Sequence, residues 1–421
     1  MKPTGPIPPY FAAADGRLVI GGIPAEELVA EAGGTPLFVY DNNIVGAQVA
    51  RFKGAMADGI ALHYSVTANP YEPLLEFLGR YVDGFRIVSG GELRRLQSAG
   101  LAGIPISFAG PGKLDSELEA AVRARATISV ESEGEAARTI RAAEKVGVQP
   151  RISVRVTPPF AIEEGRVTIG SRPSPFGVDA ERVPVLVQGL LQAGVDWRGL
   201  HMFGGAQCLD AEALAQVHRV TVAHAGEIAD VIGEPLPELN LGSGFDIACR
   251  PGEAPLDIDH VAVALNRTLC DAPPLLATTR FTIELGRWLV GESGVYLTRV
   301  LDRSESCGKT FLTTDGGGHH LIGATGSLGE RGLINFPIAV ANRFDAPAEE
   351  EVTVAGCLCT PFDVLGDQVA LPRAEEGDLI AVFCAGAYGL SASPQAWESR
   401  PMARRLPVRQ QQGQADCQKG R

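Results

Sequence analysis

Eight β-rich, largely apolar runs in the first two-thirds of this chain end at or beside polar, charged or glycine residues, and those ends are where chemistry would be carried. In chain order the end residues are Thr67; Ser89 with Gly90, Gly91 and Glu92; Gly110, Pro111, Gly112 and Lys113; Glu131; Arg155; His201; Gly242, Ser243 and Gly244; and Glu284 with Gly286 and Arg287. A turn such as Gly242, Ser243 and Gly244 lets backbone N–H groups approach a phosphate, although glycine pairs also serve simply as tight turns. Arg287 could grip the same anion with two parallel hydrogen bonds, or make a surface ion pair. Glu284 closes an apolar strand, where an unpaired carboxylate is costly, so it should meet a cation or a protonated nitrogen. His201 could stack on a flat ring or be a satisfied core histidine. Each residue has a bland explanation alone; their clustering points to a site.

The elements that would position them follow from periodicity. The runs fall at 61–66, 84–89, 106–110, 127–132, 151–156, 199–203, 238–241 and 281–285, and segments with apolar residues at helical spacing lie between them. Several runs are apolar almost throughout rather than alternating, as parallel strands covered on both faces require. Eight strands interleaved with helices predict a (β/α)8 barrel, whose active site lies at the C-terminal strand ends. The long irregular connection at 157–178 is a candidate functional loop. After about residue 285 strands follow one another with few helices, which predicts a C-terminal β domain. We therefore expect an N-terminal segment over 1–38 that joins the β domain, a barrel over 39–285, the β domain over 286–408 and a disordered polar tail over 409–421.

Composition narrows the partners. The chain has 421 residues, a mean hydropathy of +0.08 and a formal net charge of −13. Such an acidic surface repels nucleic acid and anionic membrane, leaving small molecules and proteins. No apolar run approaches the roughly 18 residues of a membrane span, and the start does not read as a signal peptide. Eight scattered cysteines form no C-x-x-C pair and read mostly as free thiols in a reducing cytoplasm, with no metal site.

Several stretches, in order, resemble a known family: H-Y-S-V-T-A-N-P (63–70), S-G-G-E-L (89–93), F-G-V-D (176–179), H-M-F-G-G-A-Q (201–207), L-N-L-G-S-G-F (239–245), E-L-G-R (284–287), C-L-C-T-P-F-D (357–363) and A-G-A-Y-G (385–389). They are similar to the motifs of fold type III pyridoxal phosphate decarboxylases of the diaminopimelate and ornithine type, and most like a bacterial subgroup associated with exosortases. The resemblance implies an alanine-racemase-like barrel with a C-terminal β domain, pyridoxal phosphate as cofactor, and a homodimer with shared sites. It implies that Gly242, Gly244, Arg287 and Tyr388 bind the cofactor phosphate, that Glu284 pairs with the ring nitrogen, and that His201 stacks on the ring beside Arg155. It further implies that Cys359, with Asp363 near it, reaches the partner's site and returns a proton after CO2 leaves.

Three positions depart from the pattern. The family's imine-forming lysine falls on Thr67, its aspartate in a D-x-A-S motif falls on Arg86, and Gly204 and Gly205 lie where a serine is expected. Threonine cannot form an imine. The expectation is a diverged decarboxylase homologue of specialised metabolism that acts on or binds an amino-acid-derived or carrier-bound substrate, with pyridoxal phosphate non-covalent or lost. A catalytically inactive binding protein and a scaffold redirected to cofactor-independent chemistry stay open. Takeover by Lys113, which follows a barrel strand, is disfavoured because the family carries a similar lysine there.

Overall fold

Strands that are apolar on nearly every residue need cover on both faces, and a ring of parallel strands inside a ring of helices provides it. In the computed structural model of the chain the ring is complete. Its strands are β1 (Ile60–Ser65), β2 (Gly84–Ile87), β3 (Ile106–Phe108), β4 (Thr127–Val130), β5 (Arg151–Thr157), β6 (Asp196–Met202), β7 (Glu238–Asn240) and β8 (Arg280–Leu285). Each pairs in parallel with the next, and β8 returns to β1 with Glu284 opposite His63. The structure describes residues 2–161, 164–168, 173–242, 244–325 and 335–408.

A helix follows every strand: α1 (Glu72–Leu78), α2 (Gly90–Ser98), α3 (Asp115–Arg123), α4 (Glu133–Val146), α5 (Val183–Gln192), α6 (Ala211–Ile232), α7 (Ile258–Cys270) and the short α8 (Arg287–Val290). Local chemistry starts several of them. Ser89, Ser132, Asp210 and Asp257 each accept a backbone N–H at the helix start, which satisfies donors that the first turn leaves open. Gly84 on β2 is required by close approach: a Cβ there would lie 2.4 Å from His63 Nε2, so the missing side chain makes room for the imidazole.

The chain divides into two compact units, Gln48–Ala248 with Glu253–Gly291, and Met1–Ala47 with Cys249–Gly252 and Glu292–Arg421. The first holds the barrel. The second is built on an eight-stranded sheet in which Gly294–Ser306 pairs with Lys309–Thr314, Leu379–Val382 and Leu37–Asp41. Leu37–Asp41 also pairs in parallel with Arg404–Val408, so both chain ends join one sheet. This strand runs past residue 38, where the sequence suggested a boundary, because all five of its residues are buried in the sheet. Leu18, Ile20, Leu28, Val39, Val295, Leu297 and Phe383 form the core of this unit. The polar tail at 409–421 lies outside the described residues.

Candidate functional site

The barrel interior is organised around one carboxylate. Glu284, near the end of β8, is 3% exposed, and each of its oxygens is matched by specific neighbours. Oε1 accepts from Asn240 Nδ2 at 2.6 Å and from Ser107 Oγ at 3.1 Å. Oε2 faces Arg86 Nε at 3.2 Å and His201 Nε2 at 3.7 Å. Burial alone would raise its pKa. The opposing pull of His201, Arg86 and His63, with the Asn240 hydrogen bond, outweighs burial and holds it below the usual carboxylate range. The cation that the sequence required for Glu284 is therefore present within the protein as Arg86.

His201 on β6 is pinned rather than free. Its Nδ1 lies 3.2 Å from Ser129 Oγ, and burial pushes its pKa down to about 3, so the ring is neutral near pH 7. The other ring nitrogen, Nε2, faces Glu284 Oε2 at 3.7 Å. Arg155 on β5 gives Nη1 to both oxygens of Glu131, at 3.0 and 3.2 Å, and its guanidinium lies over the rings of Phe176 and Phe203 at 5.2 and 6.0 Å. Glu131 in turn accepts from the Gly110 amide.

Lys113 is consumed by structure. Its ammonium, fully buried, donates to Gly110 O at 2.7 Å, Ser129 O at 3.1 Å and Glu135 Oε1 at 2.8 Å. Thr67 sits on the single turn Val66–Ala68 that follows β1. Its hydroxyl is buried without a well-formed hydrogen bond and leans on Glu92, whose pKa burial raises and whose neighbours Val88 and Thr67 draw back.

Gly242 has a left-handed φ of 70°, and a Cβ there would lie 2.7 Å from Phe203 Cδ2 and 2.8 Å from Met202 O. Only glycine suits both constraints. Its amide donates to Asn240 Oδ1 at 2.8 Å, so one side chain ties this turn to Glu284. Arg287 Nε stands 3.4 Å from the buried Asp246 carboxylate, which also receives Arg166 Nη1 at 2.9 Å. Burial raises the pKa of Asp246, and the two guanidinium groups pull it down.

Residues 43–291 match the family profile described as pyridoxal-dependent decarboxylase, pyridoxal binding domain. The chain belongs to this family. It is 31% identical over 373 residues to an L-glutamyl-[BtrI acyl-carrier protein] decarboxylase of Niallia circulans, a match that covers 87% of each chain. It is 31% identical over 395 residues to the diaminopimelate decarboxylase of Archaeoglobus fulgidus, covering 93% of this chain and 91% of that one. The solved structure of diaminopimelate decarboxylase from Helicobacter pylori complexed with L-lysine superposes with a TM-score of 0.80 at 25% identity, covering 92% of this chain and 94% of the other. These likenesses agree with the closed barrel and the separate β domain.

Against this decarboxylase background, the residues singled out in the sequence fall into separate groups. Arg86, His201 and Glu284 meet in the barrel, with Arg155 and Gly242 on neighbouring strand ends; Gly244 has a φ of 135°, and Ser243 lies outside the described residues. Cys359, Asp363 and Tyr388 belong to the β unit. Cys359 is exposed, and its amide donates to Glu398 Oε1 at 2.8 Å. Asp363 is buried and accepts from the amides of Gly318 at 2.6 Å and Leu358 at 2.8 Å, so it shapes the Cys359 loop from within. Tyr388 carries a left-handed φ of 55°. Sequence reasoning missed Ser107, Ser129 and Asn240. Asn240 alone left a signal, because it stands inside the L-N-L-G-S-G-F stretch.

Proposed function

We propose that the barrel binds pyridoxal phosphate, or a similar phosphorylated or anionic small molecule, without an imine, and that the chain is a diverged decarboxylase homologue handling an amino-acid-derived or carrier-bound substrate. The observation that carries this reading is the account of amino groups. An imine needs a free amine. Among the described residues, Lys113 is the one lysine inside the barrel, and its ammonium is enclosed by three acceptors. Lys53 and Lys145 pair with Asp83 and Glu119 at exposed positions, and residue 67 is threonine.

The non-covalent residue types remain. Gly242 keeps the tight left-handed turn after β7, its own amide held by Asn240 Oδ1, and Gly244 and Arg287 follow as partners for a phosphate. Glu284, ionised, and His201, neutral, line the place for a flat nitrogen heterocycle, whose nitrogen would have to displace Arg86 from Glu284 Oε2, with Arg155 braced beside them. When bound, pyridoxal phosphate supplies an electron-withdrawing ring, chemistry that belongs to the cofactor. What these residues supply is binding and orientation. In the same proposal two copies pair, Tyr388 completes phosphate binding, and Cys359 serves the partner's barrel while the buried Asp363 holds its loop in shape. The exposure of Cys359, and of Phe362 at 73%, is what supports the pairing. The relative named for a glutamyl carrier protein supports a carrier-bound amino acid as the substrate class.

The test is calorimetry with pyridoxal phosphate and with pyridoxamine phosphate, followed by borohydride reduction and intact mass. We expect both to bind and no adduct to be fixed. Absence of binding by either ligand sinks the reading, and a phosphopyridoxyl adduct on any lysine sinks its non-covalent part.

A further inference from the structure

We infer that Arg86 is a carboxylate-binding residue, so that the ligand of this barrel carries a carboxylate that the guanidinium holds with its two terminal nitrogens. The inference rests on the small-molecule binding proposed above and adds the chemical class of what is bound.

The argument begins with the donors of the inner cations. Lys113 donates to three acceptors, and Arg155 gives Nη1 to Glu131 while its guanidinium lies near two aromatic rings. Arg86 differs. Its Nε faces Glu284 Oε2 at 3.2 Å, close enough for an ion pair, yet Nε is buried without a hydrogen bond of acceptable direction. No hydrogen bond reaches either terminal nitrogen from any described residue. The side chain is 20% exposed, which leaves it neither sealed into the core nor swung out into water.

An arginine present only to neutralise Glu284 would be expected to lock onto it through two parallel N–H groups. Here Glu284 Oε1 is already taken by Asn240 and Ser107, so the carboxylate cannot offer both oxygens to the guanidinium. The fork is therefore held by one edge, with its outer edge unspent. Position fixes where that edge lies. Arg86 is level with Ser65 on β1 and Ser107 on β3, and the Ser107 hydroxyl reaches Glu284 in the interior, so Arg86 shares that inward face. A planar anion with two oxygens matches the unspent edge.

The probes are two stable imine-free compounds, phosphopyridoxyl-L-alanine and phosphopyridoxyl-ethylamine, which differ by a single carboxylate. Their dissociation constants are measured on the full chain and on R86Q and R86K. The wild-type protein is expected to prefer the carboxylate compound by about tenfold or more, the scale of one charge-assisted pair. In R86Q that ratio should fall to about one, whatever happens to the absolute affinities. R86K keeps the charge but loses the fork, so an intermediate ratio is expected, and it serves if R86Q does not fold. Equal binding of both compounds to the wild-type protein, or an undiminished ratio in the variants, overturns the inference while leaving the binding reading intact. Failure of both compounds to bind overturns the binding reading and this inference with it.

Discussion

Arg86 on β2 and Glu284 on β8 reach each other across β1, Nε to Oε2 at 3.2 Å, so the ion pair bridges two strands that share no backbone hydrogen bonds. The charge of Glu284 is thereby balanced inside the barrel before any ligand arrives. Removing one partner of such a pair leaves an uncompensated buried charge, whereas removing both does not.

The first prediction follows directly. R86Q should destabilise the fold toward the lower end of the roughly 3–5 kcal/mol typical of broken buried pairs, since Arg86 is partly exposed. R86Q/E284Q should recover much of that loss. Urea unfolding of the wild type, both singles and the double closes the cycle, and strictly additive effects would show that the two side chains do not interact.

Lys113 and Glu135 form a second, fully enclosed pair. K113M is expected to cost about 3–5 kcal/mol, because Glu135 and two carbonyls lose their donor together. A melting temperature within a degree of wild type would contradict this assignment.

Restoring an amine at the turn after β1 tests the covalent reading. T67K, incubated with pyridoxal phosphate and reduced with borohydride, should acquire a phosphopyridoxyl group that peptide mapping places at residue 67. The wild-type protein should acquire none. Modification of Lys113 in either protein would reverse the role given to that residue.

Stability should fall as pH drops from about 6.5 toward 4. His201, His218 and His320 have pKa values pushed down to about 3, 4 and 4 by burial. In that window the unfolded chain takes up protons on these residues while the folded protein does not, so lower pH favours unfolding. The buried carboxyls of Asp246 and Asp363, whose pKa values burial raises, act in the opposite sense where they titrate. Chemical denaturation at pH 7 and pH 5 measures the slope, and a flat profile would count against buried neutral histidines.

Asp363 carries a prediction for the Cys359 loop. D363A removes the acceptor of two amides, Gly318 and Leu358, at about 1–3 kcal/mol for each group left unsatisfied. Amide exchange should accelerate at these two positions and leave the barrel amides unchanged.

The barrel was legible because continuous apolar runs, separated by helical periods, have few other solutions. Its strand ends were legible because costly residues such as Glu284 and Arg155 do not persist in an apolar wall without a partner. Which partner was not legible. The cation for Glu284 turned out to be Arg86, a residue read as standing at the family's aspartate position and not as the partner of Glu284, because side-chain reach across β1 leaves no trace in local spacing. Ser107 and Ser129 were invisible for a related reason: a serine on a strand reads as filler until its hydroxyl is seen on Glu284 or His201. Cys359 and Asp363 were read as neighbours, and they share a loop. The inward use of the Asp363 carboxylate depended on glycines at 317 and 318 that the strand pattern did not single out.

Through Asn240, Ser107, Arg86 and His201, and through Ser129 behind His201, the Glu284 carboxyl ties its own stave to five others of the eight in the barrel. Thr67 is outside this knot, on a turn beyond the stave that the ion pair crosses. The part of the molecule that holds itself together and the spot where a covalent handle would be mounted are thus separately editable. Residue 67 can be exchanged without loosening the knot, and an engineer could mount an amine there by the same route.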